Sequence, residues 1–295
     1  MAVLALDIGA TKFAAGLVDP HYRLRDVRRT AAASDDPWAA CRDLLVAVAG
    51  DNEVSAVGIG AAGPVDVRAG TIRPLNLAAW RDGFAIVEHV RALFPNAVVR
   101  LAVDGACLVL AEHRVGGLRG VDNGLAMTVS SGVGGGIIAD GRVVVGRTGN
   151  AGHIGHLVVP GDDTACACGG FGCVEAVASG MSSVRWARAR GWEGESGTEL
   201  AEAAQRGDRI AVAAMARAGT ALGRAISSAA ALLDVDRAVI SGGFAQSGEP
   251  LWGPLRAAVA RHSRLEFIED LSVRLSTLRE GATLVGAGVL AVEAV

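Results

Sequence analysis

Three of the five cysteines, Cys166, Cys168 and Cys173, fall within a glycine-rich stretch of eight residues, and His156 lies ten residues upstream of the first. Thiolates and imidazole are ligands that suit zinc, and His156 would complete a Cys3His tetrahedron. With all four positions filled by protein, such a metal is structural and does not activate water. Redox chemistry of neighbouring thiols is the competing reading. The odd cysteine total argues against a disulfide framework, and Cys41 and Cys107, set among apolar neighbours, read as buried thiols.

Three further segments could handle phosphate. In Asp7-Ile8-Gly9-Ala10-Thr11-Lys12 a carboxylate ends an apolar run. It can hold a metal-bound phosphate through water, while the turn offers N–H groups and the Thr11 hydroxyl to anionic oxygens. Lys12 is the only lysine in the chain. An ordinary hairpin explains this segment equally well. In Ser130-Ser131-Gly132-Val133-Gly134-Gly135-Gly136, four glycines in five residues let a backbone pass close to a ligand. No Gly-Lys-Ser/Thr follows, so this is not a Walker A loop, and the residues after it read as strand, which excludes a dinucleotide fingerprint. Gly242-Gly243 follows an apolar run and either admits a nucleotide or serves packing. Finally, Asp104 emerges from the apolar run 98–103, where it is either a general base or the N-cap of a following helix.

The elements that must carry these residues alternate. Strands are expected over 3–8, 13–18, 22–29, 54–60, 98–103, 125–129, 137–139 and 238–241, and helices over 38–48, 86–94, 105–114, 210–233, 251–263 and 281–295. Such alternation implies an α/β fold. The strand–turn–strand at 125–139 echoes the one at 3–18, a weak internal duplication. At 295 residues the chain is long enough for two domains. No linker separates them, so a boundary near residue 104 rests on pattern alone. A net charge of −3 gives no reason to expect a nucleic-acid or anionic-membrane partner. No basic leader and no apolar run of membrane-spanning length is visible, which makes the cytoplasm the expected location.

Taken in order, segments 7–12, 58–66 (GIGAAGPVD), 76–80 (NLAAW), 104–112, 128–136, 151–156, 166–175 and 241–243 resemble the ROK family of sugar kinases and repressors, in particular its glucokinases and N-acetylmannosamine kinases. The resemblance implies a two-domain actin-like ATPase (ribonuclease H-like) fold with an interdomain cleft. Its smaller domain would be 1–103 plus 281–295 and its larger one 104–280. It further implies an ATP-dependent kinase acting on a hexose or N-acetylhexosamine hydroxyl, usually O6, with Asp104 as general base. Gly63, Asn76, His153, His156 and Glu175 would contact the sugar. His156 would use one ring nitrogen for zinc and the other for a sugar hydroxyl. Asp7, Gly9, Thr11, Lys12, Ser131, Gly132, Gly134, Gly242 and Gly243 would serve ATP, with Mg²⁺ near Asp7. A homodimer is also implied.

Three positions depart from the pattern: Ala10 for a glycine, Val103 for the Asn that normally precedes the catalytic Asp, and His153 for a Glu. Val103 offers the sugar no hydrogen bond. His153 can donate one where a carboxylate only accepts, which suits a C2 acetamido group. The first two departures motivate an alternative, a catalytically impaired sugar-binding or regulatory protein. With the first motif at Asp7, no N-terminal helix-turn-helix is expected.

Overall fold

The structure is a computed structural model and describes residues 2–9, 11–32, 36–75, 77–278 and 281–293. In chain order its elements are β1 (Ala2–Ile8), β2 (Lys12–Val18), β3 (Leu24–Ala31), α1 (Pro37–Ala49), β4 (Val54–Ala61), β5 (Val65–Asp66), β6 (Thr71–Ile72), α2 (Ile86–Leu93), β7 (Val98–Val103) and α3 (Asp104–Val115). There follow β8 (Gly124–Val129), β9 (Val133–Ala139), β10 (Arg142–Val143), α4 (Val174–Ala178), α5 (Gly180–Arg188), α6 (Gly197–Gln205) and α7 (Arg209–Leu233). The last are β11 (Arg237–Ser241), α8 (Glu249–His262), β12 (Ser272–Leu275) and α9 (Ala282–Val292). Among the described residues no helix is long and apolar enough to cross a membrane.

The first sheet has the order β3-β2-β1-β4-β7. Its first three strands are antiparallel, as two hairpin turns dictate, whereas β1, β4 and β7 run parallel. The inner strands are apolar on both faces, which is what a sheet covered on both sides requires. Leu4, Leu6, Ile8, Phe13 and Ile59 are wholly buried, while β3, LRDVRRTA, is a polar edge strand. The second sheet repeats the order as β10-β9-β8-β11-β12. Both therefore set a hairpin beside two parallel strands, and the echo between 3–18 and 125–139 is an architectural duplication.

The chain divides into two compact units, residues 1–120, 136–152 and 278–295, and residues 121–135 and 153–277. This differs from a boundary at residue 104, because α3 packs on α9 within the first unit. A Cβ at Gly286 of α9 would overlap the Cys107 carbonyl of α3, so the two helix backbones meet across a bare glycine. The start of α3 also corrects an expectation. Asp104 is its first residue and the N-cap is Val103, which makes no side-chain capping bond. The Val103 side chain is buried in the apolar core of the first unit.

In the second unit the 25-residue α7 begins at a side-chain cap, Asp208 Oδ1 accepting from Ala211 N at 2.8 Å. Its small residues let α8 approach closely along Gly219 and Gly223. The expected helices over 210–233 and 251–263 are thus present within a residue or two. The short helices α4, α5 and α6 were not expected.

Candidate functional site

In the first unit, parallel register aligns the carboxyl ends of three strands. Ile8 pairs with Ala61, and Ala61 with Val103. The loops that leave β1, β4 and β7 therefore emerge side by side, where open α/β sheets collect their ligands. Gly9 and Gly63 lie on the first two exits, and at the third α3 begins directly with Asp104. Asp7, one residue before the end of β1, is close enough to Asp104 for the two carboxylates to repel. Burial first, then the charge of Asp104, push the Asp7 carboxyl up to about 7, with Lys12 pulling the other way. Asp104 Oδ1 accepts from Gly105 N at 2.7 Å. The Cys107 thiol lies one helical turn on and is buried, and burial and both carboxylates hold it well above its ordinary range. Thr11 and Lys12 are exposed at the hairpin, whose Gly9 N donates to Lys12 O at 3.1 Å. Two carboxylates that oppose each other's ionisation form a set that a divalent cation would relieve, so these residues fit the Mg²⁺ expected near Asp7.

The segment after Gly63 is held by an unexpected residue. Asn150 Oδ1 accepts from Val65 N at 2.9 Å and Asn150 Nδ2 donates to Val65 O at 2.6 Å and to Thr148 Oγ1 at 3.0 Å. One amide thus imitates a strand neighbour for Val65. No local sequence signal marks a contact between residues 85 positions apart.

In the second unit the glycine turn links β8 to β9, with Ser130 N donating to Gly132 O at 2.9 Å. The α4 residue Glu175 supports it: Oε2 accepts from Val133 N at 2.9 Å, and a Cβ at Gly132 would stand 2.6 Å from that oxygen. Ser130 O in turn accepts from Gly180 N, the first residue of α5, at 2.7 Å. Gly242 adopts φ +104°, and a Cβ there would overlap the Val129 carbonyl, so glycine is required where β11 turns toward Phe244. Ser131 and Gly243 line one cavity of 780 Å³. Sequence reasoning missed its other walls, among them Met181, Arg185, Ser196, Thr198 and Gln246. Gly132, Gly134 and Gly242 shape the turns beside it and do not line it.

The metal set is assembled. One ligand atom from each of His156, Cys166, Cys168 and Cys173 lies within 4.8 Å of all the others. Cys168 Sγ and Cys173 Sγ are 3.8 Å apart, and His156 Nδ1 is 3.9 Å from Cys166 Sγ. Zn–S bonds of ~2.3 Å at tetrahedral angles place sulfurs about 3.8 Å apart, so these residues fit zinc. With Nδ1 turned to the cysteines, His156 keeps Nε2 for another partner. His153 stacks edge-on to His156 with ring centroids 5.9 Å apart. Burial, then the neighbouring His156, lower its pKa against an opposing pull from Glu175, which keeps the ring neutral at pH 7. Asn76 and Ala10 lie outside the described residues.

Comparison with known proteins concerns the chain as a whole. The glucokinase of Thermotoga maritima is 30% identical, covering 97% of this chain and 96% of its own. An N-acetylmannosamine kinase of Yersinia pseudotuberculosis is 32% identical, covering 98% and 97%. Among solved structures, a ROK family glucokinase from Streptomyces griseus in complex with glucose and AMPPNP superposes with a TM-score of 0.86 at 30% identity over 99% of both chains. The fold is accordingly the actin-like ATPase fold that the sequence resemblance implied. A family profile described as ROK family matches residues 3–294, and the chain belongs to that family.

Proposed function

We propose that the protein is an ATP-dependent sugar kinase that phosphorylates a hexose or N-acetylhexosamine, at O6, with Asp104 as general base. The observation that carries this reading is the placement of Asp104 at the exit of β7, partly buried and electrostatically coupled to Asp7. A base in that position takes the hydroxyl proton as the sugar oxygen attacks the terminal phosphorus of ATP, and ADP leaves. Relatives named glucokinase and N-acetylmannosamine kinase support the reaction class.

The residues divide the work. Asp7 would hold the cation, and a bound Mg²⁺ would neutralise phosphate charge there. Gly9, Thr11 and Lys12 offer N–H, hydroxyl and ammonium donors to phosphate oxygens. Ser131, Gly132, Gly134, Gly242 and Gly243 bound the nucleotide site, whose base and ribose take the 780 Å³ cavity. His153, His156 and Glu175, with Gly63 and Asn76, hold the sugar. A neutral His153 donates to an acetamido carbonyl, which favours an N-acetyl sugar. Zinc would be structural: through His156 and Cys173 it would pin the loop in front of α4, and so Glu175 and the glycine turn that Glu175 supports. The same reading has the enzyme act as a cytoplasmic homodimer.

The test is ADP release with Mg²⁺–ATP over glucose, mannose, N-acetylmannosamine and N-acetylglucosamine, with Asp104→Asn alongside. Turnover on one sugar that falls ~10²–10⁴-fold in the variant is expected. Silence across the panel from folded, zinc-loaded protein, with sugar binding retained, would replace this reading with the impaired sugar binder that Val103 motivates.

A further inference from the structure

The first unit contains a second cavity, of 620 Å³, that takes no part in the proposed reaction. It lies along β7, which among the described residues has β4 as its one strand neighbour and so forms the edge of the first sheet. Four consecutive residues, 99–102, line it. Side chains alternate across a strand, so a run of four marks a cavity reached by the strand's edge, with outward main-chain groups available to an occupant. The walls are apolar, with Val87 of α2, Leu110 of α3 and Leu290 of α9 among them.

Among the lining residues are three arginines, Arg68, Arg91 and Arg100, against one glutamate, Glu88. Arg100 donates to the Ala291 carbonyl. Arg68 and Arg91 are exposed, and among the described residues neither guanidinium has an ion pair or a hydrogen bond. The patch is thus locally cationic on a chain whose formal net charge is −3.

We propose that this cavity binds a small organic anion with an apolar body: a carboxylate, phosphate or sulfonate head on Arg68 and Arg91, and a ring or branched hydrocarbon against the β7 edge. The chemistry narrows the class from both sides. A guanidinium fork matches a planar or tetrahedral oxyanion in two parallel bonds. A bare inorganic anion leaves the apolar walls wet, and 620 Å³ is the size of a site for a drug-sized molecule. Glu88, three residues before Arg91 on α2, disfavours a polyanion and restricts the head to one or two charges. The occupant also touches Ala106 and Leu110, on the helix that begins at Asp104.

The test uses 8-anilinonaphthalene-1-sulfonate as probe and uncharged N-phenyl-1-naphthylamine as its control, followed by fluorescence and calorimetry on the full chain. The sulfonate is expected to bind saturably at one site per chain, at least ten times more tightly than the amine. The double variant Arg68→Gln/Arg91→Gln is expected to weaken it tenfold or more, and Ala69→Trp, which fills the mouth, to abolish it. Met181→Lys, in the wall of the other cavity, leaves it in place. Equal binding of the two probes, no saturable site, or retention of the sulfonate in Ala69→Trp would overturn the proposal. Ala69→Trp alters one exposed turn residue, so it decides the question even if the double variant does not fold.

Discussion

Asp7 is held far from its ordinary ionisation, and its protonation should be visible in stability. Its carboxyl titrates near 7 when folded, against an ordinary 3.8. Between those values the folded chain holds a proton that the unfolded chain has released. Stability therefore falls as pH rises through the window from about 4 to about 7, and levels off above it. At 1.36 kcal/mol per pH unit, the full difference corresponds to a ceiling of about 4 kcal/mol. Asp7→Asn keeps the shape and removes the titration, along with the repulsion that Asp7 exerts on Asp104. The assay is urea unfolding, followed by tryptophan fluorescence, of wild type and Asp7→Asn at pH 4.5, 5.5, 6.5 and 7.5. The variant should gain on the wild type steadily with pH, by a total of roughly 2–4 kcal/mol. A flat difference across that range would refute the argument for a raised Asp7 pKa. Saturating Mg²⁺ should shrink the gain, since a cation restores the ionised form.

Three other outcomes follow from separate parts of the structure. Protein purified without added metal should contain about one zinc per chain, and Cys166→Ser should lower both zinc content and melting temperature, read by elemental analysis and calorimetry. Gly286→Ala inserts a methyl into the Cys107 carbonyl and should destabilise by about 3 kcal/mol or more, measured as a lower urea midpoint. Asn150→Ala removes both bonds to the Val65 main chain. It should cost about 1–3 kcal/mol and raise the sugar KM more than it lowers kcat, as steady-state kinetics would show.

The sequence made some of this legible because the chemistry was local. A cysteine trio in eight residues, an apolar run ending in a carboxylate and a run of glycines between two apolar runs each declare themselves within one short window. The same holds for α7, whose length and small-residue composition leave little alternative. What stayed hidden depends on distant partners. The unit to which α3 belongs is set by Gly286, 179 residues from Cys107, and no window contains both. Asn150 reads as an ordinary loop residue until Val65 arrives beside it. The helices α5 and α6 are nine residues each and begin at glycine, so their periodic signal is brief and their starts resemble turns. They also carry much of the 780 Å³ cavity, which is why Met181, Arg185 and Thr198 escaped notice. Asp104 shows the limit of local reading from the other side: a strand-to-helix junction suggested a cap, whereas the cap is Val103 and Asp104 is the first residue of the helix.

The exposed Lys12 at the start of β2 gives the molecule a single side-chain amine. An acylating reagent therefore has one side chain to find, and a lysine-specific protease one peptide bond to cut. Acetylation, or any modification that erases that charge, takes away the cation that opposes the proton on Asp7. A covalent label on that side chain would alter the charge that acts on Asp7 and report on its ionisation.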